Sequence, residues 1–205
     1  MITKESMIED YRKSLEQFGP DDFRSMLWSS ADGRSTRCRY EQMAKHVGSF
    51  RDRSVIELGC GLGSFFRLGH SCKSWVGIDL VPEFVMETNK LIDKLGLTGF
   101  AKAVLGDLDK VQTLPKADVF ISSGVTADRG AGFWDRSKLR TLFETALSVS
   151  SVAIFTFPSA LATIRTERIE YFDPESVLAI ALQCTDRVVL KHGYLKGDFM
   201  LVLGE

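Results

Sequence analysis

Apolar and polar positions along this chain change period several times, and each change marks an element. Ile8 to Phe18 carries its apolar residues at helical spacing and stops at Gly19-Pro20. Asp21 to Trp28 has room for one short helical turn, and Ser29 to Gly33 is loop chemistry. Thr36 to Val47 is helical again, with Tyr40, Met43, Ala44 and Val47 on one stripe. From Arg53 onward strands and helices alternate. The pattern predicts strands over 55–58, 75–79, 100–105, 117–124 and 151–157, and helices over 65–70, 83–95 and 136–149. Residues 159–172 read as an irregular connector. Asp173-Pro174-Glu175-Ser176 then opens a helix, with Asp as N-cap and Pro at the first position. The chain closes with two strands, 187–194 and 199–203, joined by the turn Leu195-Lys196-Gly197-Asp198. Alternating strands and helices predict an α/β fold on a mostly parallel sheet.

The most informative stretch is Val55-Ile56-Glu57-Leu58 running into Gly59, Gly61 and Gly63 at alternate positions. It reads as strand, tight turn and helix. Glycine admits φ > 0 and lets a ligand approach the backbone without meeting a Cβ. Ser64 is expected to cap the following helix, leaving N–H groups at the helix start for a polar or anionic ligand group. A P-loop would need Gly-Lys-Ser/Thr, whereas Gly63 is followed by Ser64-Phe65. The dinucleotide fingerprint would put its third glycine at position 64, which is Ser. A second acid, Asp79, ends the next strand 22 residues after Glu57. An acid there can accept hydrogen bonds from two ribose hydroxyls. It can also cap the helix that follows Val81-Pro82, and the two roles are compatible.

Composition narrows the classes. The 205 residues suit one α/β domain with a lid, and 44% hydrophobic residues supply a sizeable core. With 26 basic and 27 acidic side chains the formal charge is −1, so no global field favours nucleic acid or an anionic membrane. No apolar run is long enough to span a bilayer, and the N-terminus lacks a signal-peptide design. Cys38, Cys60, Cys72 and Cys184 have no paired metal spacing, so reduced thiols, a cytoplasmic location and no metal are expected.

The order acid-x-Gly-x-Gly-x-Gly, with Glu57 two residues ahead of Gly59, resembles the first motif of the class I S-adenosylmethionine-dependent methyltransferases. The resemblance covers about 150 residues in the family's order, through Asp79, Asp107, the fourth and fifth strands and the terminal hairpin. It implies a Rossmann-like, doubly wound seven-stranded sheet, mostly parallel with a C-terminal antiparallel β-hairpin. Residues 1–50 would form an N-terminal helical lid and 51–205 the S-adenosylmethionine-binding domain. The cofactor would be S-adenosylmethionine and the product S-adenosylhomocysteine. The resemblance implies that Gly59, Gly61 and Gly63 lie against the methionine half and that Glu57 orients that end. Asp107 would accept from the adenine amino group, with Leu80 and Leu108 sandwiching the ring. Arg39, followed by Tyr40, would reach the cofactor's carboxylate. Ser123-Gly124 and the closing segment from Tyr171 to Phe199 resemble one group of small bacterial methyltransferases, in which an acid usually stands where this chain has Gly193.

Methyl transfer from a sulfonium is an in-line displacement in which positioning supplies about 7–11 kcal/mol. A hydroxyl acceptor also needs a base. Asp128, in the acceptor-side loop 125–135, is the first residue to test, followed by His192; His46 and Tyr171 are outside choices. The expected partner is a small-molecule acceptor with an O or N nucleophile, with neither nucleic acid nor membrane and with the oligomeric state open. A DNA amino-methyltransferase would show an Asn/Asp-Pro-Pro-aromatic motif after the fourth strand, where Ser122-Ser123-Gly124-Val125 stands. The other classes are a non-catalytic, methyltransferase-like partner-binding module, a protein or peptide methyltransferase, and a dinucleotide-dependent oxidoreductase. A turnover assay and cofactor titration discriminate among them.

Overall fold

A computed structural model describes residues 3–27, 30–127, 135–167 and 169–204. Among these residues a seven-stranded sheet carries everything else. Its strands are β1 (Ser54–Leu58), β2 (Ser74–Asp79), β3 (Ala101–Leu105), β4 (Ala117–Ser123), β5 (Ser150–Pro158), β6 (Val188–His192) and β7 (Asp198–Gly204). Their order across the sheet is β3-β2-β1-β4-β5-β7-β6. The first five strands pair parallel, and β7 lies antiparallel between β5 and β6. The expected seven-stranded, mostly parallel sheet with a terminal antiparallel hairpin is therefore what the chain forms.

Side-chain alternation explains how this sheet is covered on both faces. Ile56, Phe120, Phe155 and Leu201 belong to one core cluster, while Val55, Val119, Ile154 and Val202 belong to another. Neighbouring residues on a strand point to opposite faces, so near-continuous apolar strands feed two layers at once. The first layer packs against α6 (Arg136–Val149) and α7 (Pro174–Ala181), and the second against α2 (Arg34–Val47), α3 (Ser64–Arg67) and α4 (Pro82–Lys94). Phe120, Phe143, Phe155, Phe157 and Phe199 are fully buried in the first layer. Truncating any one of them to Ala costs about 3–5 kcal/mol.

Helix boundaries follow local chemistry. Asp173 accepts from the Ser176 N–H and Pro174 takes the first position of α7, as the spacing predicts. Asp135 caps α6 in the same way through the Ser137 N–H. The N-terminal helix α1 (Lys4–Phe18) begins with a reciprocal Thr3/Ser6 capping box and ends at Gly19. A 3₁₀ turn over Phe23–Met26 realises the short helical turn expected there. The Ser64 expectation needs correction: Gly63, at φ 74°, is the N-cap of α3, and Ser64 stands inside the helix. The glycine takes the left-handed conformation that the turn demands, so the chain enters the helix one residue early. A short helix, α5 (Leu108–Val111), starts at Asp107. No helix among the described residues is long and apolar enough to cross a membrane.

Candidate active site

The site is built where the sheet order reverses, at the carboxyl ends of β1, β2 and β4. The Gly59 and Cys60 N–H groups donate to the Ile78 carbonyl at 2.7 and 3.1 Å, which turns the chain sharply off β1 and over the end of β2. Gly59 is needed there twice over. Its φ is 75°, and a Cβ would sit 2.0 Å from Cγ2 of Val125, which follows β4. Open α/β sheets bind ligands at such a switch point.

Asp79, the last residue of β2, locks this turn. Its Oδ2 accepts from the Gly61 N–H at 2.8 Å and its Oδ1 from the Val81 N–H at 3.0 Å. The Thr88 hydroxyl donates to the Gly61 carbonyl at 2.8 Å, and the Gly106 N–H to the Asp79 carbonyl at 3.0 Å. Thus one carboxylate organises the glycine turn and the start of α4 together. Burial raises the carboxyl's pKa, while the N–H groups of Val81 and Gly61 pull it down. The carboxylate retains acceptor capacity for a further donor.

Beneath the turn lies a second, fully buried carboxyl, Glu57. The Tyr40 hydroxyl donates to its Oε1, and Trp75 Nε1 donates to its Oε2 at 3.0 Å. Burial pushes its pKa up to about 8, against the opposing pull of these two donors. Tyr40 in turn stacks on His70, with ring centroids 5.9 Å apart. The cluster fixes the middle of α2 against the sheet.

The resulting cleft is about 750 Å³, counting the space open to solvent. Gly59, Cys60 and Gly61 line it beside Ile78, Asp79, Leu80 and Val81, with Gly106, Asp107, Ser123, Gly124 and Val125 across from them. Residues from the first fifty form the rest of the wall: Met7 and Tyr11 of α1, Met26, and Thr36 and Tyr40 of α2. Contacts from α1 help to tie this segment down. Lys4 Nζ meets Asp107 Oδ2 at 2.5 Å, Arg12 Nε meets Glu83 Oε1 at 2.8 Å, and the Tyr11 ring meets Phe84 edge-on at 5.5 Å.

Of the residues singled out from the sequence, Gly59, Gly61, Asp79, Leu80, Asp107 and Ser123 line the cleft together. Asp107 also caps α5 through the Leu108 N–H at 2.7 Å. Glu57 lies behind the cleft and acts on it through Tyr40. Gly63 faces Thr88 and Leu91, and Leu108 packs against the core. Arg39 does not line the cleft: it is buried in an ion pair with Asp198 at 2.5 Å and lines a second cavity. His192 stacks on Phe199 and lies 2.9 Å from the Ser159 hydroxyl, away from the cleft. Asp128 falls outside the described residues. The chain's own pattern gave no reason to single out Met7, Tyr11 or Met26, because their stripes match any amphipathic helix. Tyr40 did carry a signal, standing four residues after Thr36 on the same helix face.

No protein-family model matches the sequence, and no curated protein sequence matches it. Solved structures do match its fold over almost the whole chain. Magnesium protoporphyrin IX methyltransferase (ChlM) from Synechocystis PCC 6803, with S-adenosylhomocysteine bound, superposes with a TM-score of 0.65 at 13% identity, covering 97% of this chain and 94% of that one. The N-terminal domain of EvdMO1, in the presence of S-adenosylhomocysteine and D-fucose, gives a TM-score of 0.62 at 13% identity, covering 96% and 95%. An S-adenosylmethionine-dependent methyltransferase from Clostridium acetobutylicum gives 0.58 at 13% identity, covering 82% and 91%. Strand order, the glycine turn after β1 and these likenesses converge on one architecture: the chain has the fold of the class I S-adenosylmethionine-dependent methyltransferases.

Proposed function

We propose that this protein is an S-adenosylmethionine-dependent methyltransferase acting on a small-molecule acceptor. The observation that carries the reading is Asp79, a buried carboxylate that ends β2, holds the glycine turn through Gly61 and still borders the cleft. The chemistry of the cleft fits the cofactor. Leu80, Val81 and Phe84 offer an apolar wall for a flat base, Asp79 offers acceptors for ribose hydroxyls, and Asp107 offers one for an exocyclic amine. Gly59 to Gly61, with Thr36, Tyr40 and Ser123, flank the other end. When bound, the cofactor supplies an electrophilic methyl group on a sulfonium.

What the chain itself contributes is binding, orientation and exclusion of water. Asp79 and Asp107 are the carboxylates of the cleft among the described residues, and both are committed, one to backbone N–H groups and the other to Lys4 and a helix start. Neither is left as a ready general base, and alignment of donor and acceptor can itself supply about 7–11 kcal/mol. Met7, Tyr11 and Met26 roof the cleft with apolar surface that excludes water.

Calorimetric titration with S-adenosylmethionine, S-adenosylhomocysteine and NAD is the direct test. Binding of the first two and silence with NAD is the expected result. Binding of NAD alone would overturn the reading in favour of an oxidoreductase. Mass-spectrometric screening of acceptors with labelled cofactor then separates a small-molecule enzyme from one acting on peptides, and absence of turnover on either favours a partner-binding module.

A further inference from the structure

We propose that a second cavity, next to the cofactor cleft, is the acceptor subsite, and that it takes a small molecule with an apolar body and an anionic group that meets Lys196. This rests on the methyltransferase reading above and adds to it the chemical class of the acceptor.

The cavity is about 640 Å³, counting the space open to solvent, and lies where β5 ends and β7 begins, under the connector 159–172. It shares two walls with the cofactor cleft. On α2, Thr36 and Tyr40 line the cleft while Arg39, between them in sequence, lines the second cavity. In the 3₁₀ turn after β4, Val125 lines the cleft and Ala127 the second cavity. Two elements far apart in sequence thus line both chambers, with residues one to three positions apart on each.

Among the described residues, the lining combines apolar surface with one charge that has no ion-pair partner. Pro158, Ile164, Ile169 and the Tyr171 ring provide the apolar part, and Ile164 is 79% exposed at the mouth. Arg39 and Asp198, whose side chains are 8% and 10% exposed, neutralise each other. Lys196 is exposed on the rim and takes part in none of the ion pairs among the described residues. The backbone beside it is anchored: Gly197, at φ 80°, accepts from the Ser159 N–H at 2.7 Å and abuts Ala162. A cation on the rim of an apolar chamber favours an amphiphilic anion, either a carboxylate or a phosphate.

The test uses the whole chain saturated with S-adenosylhomocysteine and three probes of one shape: naphthoate, naphthyl phosphate and the neutral naphthamide. At least one anion should bind about tenfold or more tightly than the amide, a difference of about 1.4 kcal/mol. Lys196→Gln should erase that preference without changing affinity for S-adenosylhomocysteine, and Lys196→Arg should keep it. A preference for naphthoate alone or naphthyl phosphate alone assigns the anion. Equal binding of anions and amide, no binding of any probe, or a preference that survives Lys196→Gln overturns the subsite while leaving the cofactor reading intact. Failure of S-adenosylhomocysteine itself to bind overturns both.

Discussion

The Tyr40 hydroxyl donates to the Glu57 carboxyl across 17 residues of chain, joining the helix that walls the cleft to the strand that ends in it. Burial is the dominant influence on this carboxyl and holds its proton on to about pH 8, against an ordinary value of 4.5. Between those two values the folded chain binds more protons at Glu57 than the unfolded chain does. Stability from this group is therefore complete below the ordinary value and declines as pH rises to about 8, by an amount on the order of a few kcal/mol. Glu57→Gln keeps the shape and removes the titration. The difference in melting temperature, variant minus wild type, should become more positive between about pH 5 and pH 8; a flat difference would show that the carboxyl does not stay protonated.

Asp79 makes a separate prediction. Hydrogen bonds to a charged acceptor contribute about 1.5–3 kcal/mol, so Asp79→Ala should weaken S-adenosylmethionine binding roughly ten- to a hundredfold. The same variant loses bonds to Gly61 and Val81, which lowers stability whatever the ligand. The cofactor's 2′-deoxyribose analogue separates the two effects. Wild type should prefer the ribose form and Asp79→Ala should not; equal affinity of wild type for both forms would remove Asp79 from ribose recognition.

Gly59 allows backbone strain and crowding to be told apart. Gly59→Ala meets both a φ of 75° and the Val125 side chain. Overpacking costs about 1–3 kcal/mol and a left-handed Ala about 1–2 kcal/mol. Adding Val125→Ala should relieve the first cost and leave the second, so the double variant should be more stable than the single Gly59→Ala. Urea unfolding of the four members of the cycle measures this, and strict additivity would mean that the two side chains do not compete for space.

The Lys4–Asp107 pair bears on ligand exchange. Its side chains are 44% and 37% exposed, so its contribution to stability is small. Lys4→Ala should leave the melting temperature nearly unchanged. If the adenine amine takes Asp107, however, the variant no longer loses an ion pair on binding. Affinity for S-adenosylhomocysteine should rise a few-fold at low salt, with the gap to wild type closing as salt is added. Weaker binding of the variant at low salt would mean that Lys4 assists the ligand instead.

Much of this architecture was legible in the residues because local signals agreed with the sheet. The Asp173-Pro174 start of α7 and the strand ending in Asp79 lie where spacing put them. The helix after the glycine turn was placed less well, since Gly63 serves as its cap and the helix runs only from Ser64 to Arg67. Arg39 shows a different limit. Facing on a helix follows from periodicity, but its ion pair with Asp198 joins residues 159 positions apart, and nothing local signals such a partner. Glu57 is intermediate: the motif picked it out, while its burial behind Tyr40 and Trp75 depends on tertiary packing.

The position of β7 imposes an order of assembly. β6 precedes it in the chain, yet β6 pairs with β7 and reaches the rest of the sheet through it. Until residues 198–204 have been synthesised and inserted, β6 has no place to dock, and β5 presents Ile154, Phe155 and Phe157 along an open edge. Exposed apolar edges of this kind invite pairing with other chains, and long-range closure slows folding. β7 thus acts as a keystone, and a nascent chain halted before it would be the form most in need of a chaperone.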